Sequence, residues 1–420
     1  MLKYLRISKK SSIFVANYIR ETLITNKNTN FITKDCMKKS FFFAALMMVA
    51  AMFTACNSAG TPMDDTTKLW PACNASGTKF GYIDNSGAMA IEAMYDQANR
   101  YSCGYACVLL ADNYMFLDSK GKTVQGSTDL SNGCDPYFYY NYCGFRVKSG
   151  LWGMMDKNLT TVIQPAYAWI GYMSEEGLVA ARLDGADKYG YLNTKGEWAI
   201  PANFDGVSMF QDGVAVVRVG DKYGAIDTRG QFQINAIYDM LESVGEGRLV
   251  FCSDAKTRKG GMMDTKGNII VQPIYDACNF FADNGLMPVR QDEKWGYINK
   301  SGDIKLPISF YDASPFYEGY AWILRTEKSE FELIDINGNT VIRLNENEVP
   351  KTQFHNGLCL IYKETETSET YKYIDIKGTM VYSWTFKYSY DAPARVAKER
   401  KMNIAEMFAD TPYGSLCNKK

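Results

Sequence analysis

The chain has 420 residues, with 46 Lys or Arg against 47 Asp or Glu, one histidine and a hydrophobic fraction of 46%, which is ample for a core. Residues 1–55 hold nine Lys or Arg and two Asp or Glu, so the remaining 37 basic and 45 acidic residues leave a net charge of −8. That balance lacks the basic stripe that phosphate neutralisation demands, and it excludes nucleic acid as a partner.

In chain order, residues 1–36 are basic and polar without a sustained apolar run, and they read as upstream sequence preceding the true start. Met37, Lys38, Lys39 and Ser40 then introduce an apolar stretch from Phe41 to Ala55, which is the order of a secretory signal peptide over residues 37–55. The end Phe53-Thr54-Ala55-Cys56 resembles a bacterial lipoprotein signal, whose cleavage leaves Cys56 as the lipidated N-terminus. The alternative is an uncleaved anchor from Phe41 to Ala59, near the lower length limit for spanning a bilayer. Residues 56–78 read as a tether, rich in Ser, Gly, Thr, Pro and Asp at their start.

From Lys79 one short β unit recurs. Its fullest copy alternates Trp295 and Tyr297 with Gly296 and Ile298, at the period of two that sends side chains to opposite faces. Asn299-Lys300-Ser301-Gly302 follows as a type I turn whose last residue takes φ > 0, the three-residue hairpin with a bulge. Ile304 to Pro307 reads as the return strand, with Pro307 ending its ladder, and Tyr311–Phe316 and Tyr320–Leu324 as two further extended segments. The turn Asx recurs as Asp84, Asp118, Asp156, Asn193, Asp227, Asp264, Asn299, Asp335 and Asp375, a period of about 34 to 40 residues over about nine copies.

These residues resemble the bacterial WG-repeat family, through Trp152-Gly153 and Trp295-Gly296, with Phe-Gly or Tyr-Gly in other copies. Its downstream features also stand here as Pro273, Tyr275-Asp276 and Phe281 to Gly285, or as Pro201, Phe204-Asp205 and Phe210 to Gly213. The resemblance covers residues 79–386 and implies an exported or modular protein with no common activity, so it carries over no catalytic residue. Met115, Glu332 and Lys372 replace the glycine after the aromatic, as expected of terminal units that need a different outer face.

In residues 387–420, Asp391, Ala392 and Pro393 open an amphipathic segment to about Ala409, expected as a C-terminal capping helix over the last β unit. The basic group Arg395, Lys398, Arg400 and Lys401 leaves a membrane-facing helix as the alternative.

The chemistry is mostly negative. His355 falls at a turn position, and no Ser-His-Asp set, Cys-His pair or multi-histidine metal site is present. Each Asx turn offers one carboxylate or amide rather than the alternating oxygens of a calcium loop. Glu175-Glu176 and Asp64-Asp65 read as solvated turn or linker charges. Nine cysteines follow Cys56, an odd number that suits buried small side chains better than a disulfide framework. Cys103 and Cys143 are expected at equivalent turns of adjacent copies and too far apart to bond.

The expected fold is all-β, tandem antiparallel β-meander repeats in an open curved solenoid, with a closed β-propeller as the alternative because nine units exceed the usual four to eight blades. The expected function is a non-catalytic binding or structural module, anchored to the cell envelope's outer membrane through Cys56. It needs no cofactor or metal and presents a repeat surface to a protein or glycan. A carboxylate-based glycan hydrolase and an inert envelope spacer are the alternatives.

Overall fold

The computed structural model describes residues 67–253, 259–282, 284–365 and 367–387, and among them every regular element is a β-strand. The signal segment, Cys56 and the expected capping helix lie outside the described residues.

All nine Asx turns form as the pattern dictates. In the fullest copy Gly302 N donates to Asn299 O at 2.9 Å and the glycine has φ +86°. The third copy ends its turn on Leu159 at φ +52° instead, a strained place that its side chain offsets by packing in the cluster with Leu130 and Phe138. A Cβ on Gly302 would lie 2.5 Å from Val271 Cγ2 of the preceding unit, so Gly302→Val adds a clash to an unfavourable φ. We expect it to cost about 2 kcal/mol or more in chemical denaturation. An unchanged midpoint would show that neither the turn nor the contact is as described.

The sheets are out of phase with the sequence repeat. Ala277–Cys278, Leu286–Gln291, Lys294–Asn299 and Ile304–Phe310 pair in that order as one four-stranded antiparallel sheet. The Trp295 strand is therefore third and its return strand outermost, and the chain then crosses to start the next sheet at Asp312–Ala313. This repeat thus contributes two strands to each of two sheets. The outer strand is longer than expected. Trp295 pairs with Phe310 and Tyr297 with Leu306, so residues 307–309 bulge from the ladder and pairing resumes at Phe310. Pro307 sits in that bulge, where no ladder N–H is needed.

The bulge also explains the glycine after the aromatic. In the copies with a bulge the outer strand crosses directly over this residue. A Cβ on Gly81 would meet Ile91 O at 2.3 Å, on Gly190 Ile200 O at 2.5 Å, and on Gly296 the backbone N of Ile308 at 2.7 Å. Where the ladder runs straight, as in Glu332↔Arg343 and Lys372↔Ser383, a side chain fits. Glu332 then meets Arg325 at 2.9 Å and Arg343 at 2.8 Å, and Lys372 meets Glu348 at 2.6 Å. The expected explanation by terminal position is therefore corrected: local strand register decides which residue stands here.

Eight sheets follow one another in chain order and close into a β-propeller, not the open solenoid expected from the repeat count. Closure is visible where the first sheet, Trp70–Cys73, Phe80–Ile83 and Met89–Tyr95, packs on the last, Glu348–Pro350, Leu358–Glu364, Ser368–Asp375 and Met380–Lys387. Tyr82, Trp70, Tyr371, Tyr373, Trp384 and Phe386 share one buried cluster, and Tyr373 Oη donates to Pro71 O at 3.0 Å. Two features let nine turns fit the ring. Inner strands can be as short as the two residues Gly206–Val207, so a short period still fills a sheet. The strand Thr161–Met173 runs through two consecutive units and fuses them into one six-stranded sheet.

Candidate functional site

The repeated polar residues are the first candidates for function, and packing accounts for most of them. The tyrosine of the aromatic-Gly-Tyr strand reaches the backbone 17 residues on, in the next sheet. Tyr82 Oη donates to Asn99 O and Tyr191 Oη to Ser208 O at 2.8 Å, and Tyr297 Oη to Ser314 O at 2.7 Å. Burial pushes all three phenols well above their ordinary pKa, so they stay protonated as donors. They satisfy carbonyls where the inner strand leaves the ladder. Units without this tyrosine carry Phe116, Met154, Ala225, Met262 or Leu333 in its place.

A second contact spans the same interval. Lys79, Lys188 and Lys259 pair with Asp96, Asp205 and Asp276 at 2.5 Å, and Lys222 pairs with Asp239. The other carboxylate oxygen accepts from a hairpin N–H, as Asp96 Oδ2 does from Ala111 N and Asp205 Oδ2 from Gly220 N, both at 2.9 Å. The Lys79 hydrogen bond, helped by Ala111 N–H, holds Asp96 below the usual carboxylate range. Lys294 lacks this carboxylate and lies over the Tyr311 ring at 5.7 Å, so a cation–π contact takes the place of the ion pair.

The turn acids behave differently from expectation. Glu176 is half-buried: its Oε1 accepts from Gly213 N at 3.0 Å across to the next unit. Asp212 Oδ2 accepts likewise from Gly247 N at 3.0 Å, and Glu318 Oε2 from Gly357 N at 3.0 Å. Reading Glu175-Glu176 as solvated charge is thus corrected for Glu176. The missed signal was an acidic residue recurring just before or within the inner turns. Asp264 Oδ1 accepts from Lys266 N and Asn268 N, both at 2.9 Å, as an Asx turn requires. Among the described residues no group of three or more His, Cys, Asp or Glu is placed to hold a metal ion. His355 does occupy a turn, bridging Leu358, and its carbonyl accepts from Trp70 Nε1 at 3.0 Å across the closure.

The cysteines need one correction. Cys103-Gly104, at φ +49° and +85°, matches Glu318-Gly319 at +49° and +82°, but the equivalent turn of the next unit is Tyr140-Asn141 at +47° and +69°. Cys143 instead lies in the strand Tyr142–Arg146, pairs with Met155 and carries a free thiol, so no Cys103–Cys143 bond exists. Cys73, Cys107, Cys252, Cys278 and Cys359 are buried, as small apolar residues would be.

Two features are left over after packing is accounted for. One is Glu242, in the inner strand Met240–Gly245, whose carboxyl desolvation raises to about 7. It stands 17 residues after Ala225, at the place whose carbonyl receives a tyrosine in other units, and its charge is felt by Tyr223 and Cys278. A raised carboxyl binds its proton more tightly in the folded state, so its stabilising effect is present below about pH 4.5 and disappears as pH rises through 7. Glu242→Gln should therefore flatten the fall in stability between pH 5 and pH 8 by on the order of 2 kcal/mol. Parallel pH profiles of wild type and variant in urea melts would show that Glu242 is ionised throughout.

The other is a band on the rim. The outer strands Trp198–Phe204, Phe232–Tyr238, Ile269–Tyr275, Ile304–Phe310 and Met380–Lys387 each begin with a large apolar residue, and these five are 39 to 59% exposed. They are register equivalents, each facing the residue just before the turn Asx, as in Ile226↔Phe232 and Ile298↔Ile304. The sequence shows the apolar residues, but only the sheet order puts them on outer strands.

Fold and motif geometry together define a β-propeller built from aromatic-Gly repeats. The family model WG containing repeat matches residues 80–114, 152–185, 189–223, 261–295 and 295–328, and these five stretches are repeats of that family. No curated protein matches the chain. Among solved structures, one described as a eukaryotic initiation factor aligns at 12% identity with a TM-score of 0.56, covering 78% of this chain and 98% of that one. That likeness supports the fold alone. Kluyveromyces lactis Hsv2 aligns at 8% identity and TM-score 0.35, covering 59% of this chain and 94% of its own. A quinonprotein alcohol dehydrogenase-like protein of Bacteroides thetaiotaomicron aligns at 12% and 0.31, covering 71% and 91%. At such scores these two add nothing to the fold assignment.

Proposed function

We propose that this chain is an exported, non-catalytic binding module, held at the cell envelope by lipid on Cys56, that presents its propeller rim to a protein or glycan. The observation that carries this reading is the recurrent exposed apolar residue on five outer strands. Trp198 and Phe232 also touch the buried Tyr167 and Phe204 edge-on, but each of the five leaves a large apolar face in water, so a periodic set of them suits a ligand that bridges several units. The motif tyrosines, lysines and aspartates are engaged in packing and support binding only indirectly, by holding the units in register.

The test separates anchor from surface. Cys56→Ala should move the protein from the membrane pellet to the soluble fraction while leaving its melting temperature unchanged, because the anchor precedes the repeats. Replacing Trp198, Phe232, Ile269 and Ile304 together by Ser should leave membrane association intact. It should also abolish photo-crosslinking of the rim to envelope protein or co-sedimentation with purified cell-wall glycan. A Cys56→Ala protein that still pellets after a high-salt wash would overturn the lipid anchor. Unchanged crosslinking and sedimentation of the rim variant would overturn the rim.

A further inference from the structure

Three cysteines from two consecutive units meet beside a buried cluster of Phe116, Leu130, Phe138 and Leu159. Cys107 lies in the strand Tyr105–Leu110. Cys134 bridges Phe145 at the inner edge of the strand Tyr142–Arg146, and Cys143 lies in that strand. Cys107 Sγ and Cys134 Sγ are 3.9 Å apart, while Cys143 Sγ donates to Asp135 O at 3.3 Å. Cys107 and Cys143 are buried and Cys134 is half-buried, so Cys134 is the member that a reagent in solution reaches first.

We propose that Cys107 and Cys134 form a redox-active pair that closes into a disulfide joining the second and third units, with Cys134 as the attacking sulfur. Hydrogen bonds from Cys107 and then Cys143 hold the Cys134 thiol well below its ordinary pKa. The bond to Cys134, together with burial, pushes Cys107 up. The order of events follows from that difference. The Cys134 thiolate attacks one sulfur of a small external disulfide, whose S–S bond breaks and releases one thiolate. Cys107 then gives up its proton to solvent and attacks Cys134 Sγ, expelling the second thiolate of the reagent. Two protein thiols are oxidised by two electrons and one external disulfide is reduced to two thiols. Closing from 3.9 Å to about 2.05 Å moves each sulfur by roughly 1 Å, within reach of side-chain rotation. The inference is independent of the proposed binding role.

Oxidised glutathione is the probe. The folded full-length protein is incubated with it, alkylated and mapped by mass spectrometry without reduction. A peptide joining Cys107 to Cys134 is expected, with loss of two titratable thiols. The melting temperature should rise by on the order of 5 °C and return when dithiothreitol is added. Cys134→Ser and Cys107→Ser should each abolish the shift, and Cys143→Ser should keep the crosslink. Persistence of both thiols in the folded protein, a stable glutathione adduct at Cys134, or a Cys134–Cys143 bridge would each overturn the pairing. Mapping of the wild type decides the matter even if a serine variant fails to fold.

Discussion

Gly296→Val is expected to destabilise the propeller by about 3 kcal/mol, and with it to lower the yield of folded protein. The added Cβ alone would lie 2.7 Å from the Cα, N and Cγ1 of Ile308, and two of those three atoms belong to backbone that the bulge holds in place. Relief requires straightening the bulge, which would pull Phe310 out of its pairing with Trp295. Lys372→Ala is the matched control. The ladder there is straight, so the substitution removes the pairing with Glu348 without a clash and should cost about 1 kcal/mol. Urea denaturation of both variants measures the difference. Equal losses would mean that register does not choose the residue after the aromatic.

Tyr373→Ala should cost on the order of 4 kcal/mol, because the side chain is 2% exposed and closes the ring. Its ring packs near Trp384, with centroids 6.1 Å apart, and its hydroxyl is the donor to Pro71 O. Tyr373→Phe divides this effect by leaving the ring and removing the donor, at about 1 to 3 kcal/mol. Tyr297→Phe should lose a similar amount, since its hydroxyl makes the corresponding contact to Ser314 O within the array. The two phenylalanine variants therefore compare closure with an ordinary inter-sheet joint. A silent Tyr373→Phe beside a destabilising Tyr297→Phe would indicate that the ends do not meet. Solution scattering of Tyr373→Ala should show a larger radius of gyration than wild type if closure is the weakest joint.

Much of this protein is local and was legible without coordinates. An Asx residue followed three positions later by glycine specifies a hairpin through φ > 0 and side-chain acceptance of backbone N–H groups. Both depend only on neighbouring residues, so all nine turns form where expected, the third with Leu159 in the place of the glycine. Alternation of Trp295 and Tyr297 with Gly296 and Ile298 likewise sends Trp295 and Tyr297 to one buried cluster and Ile298 to another, because the two-residue period is a property of the strand.

What only tertiary structure decided involves partners far apart in sequence. Closure depends on residues near Pro71 meeting residues near Tyr373, a contact between first and last units that a repeat pattern does not encode. The phase of sheet against repeat depends on which strands hydrogen-bond across the connection after Phe310, and the period is the same for either choice. Glu332 and Lys372 read as drift from the motif until the straight register of their outer strands was seen. The approach of Cys107 to Cys134 depends on how neighbouring units pack, and their spacing in sequence carries no trace of it. The sequence determined the repeating unit through short-range backbone chemistry, whereas the ring, its rim and its paired thiols arise from packing between units.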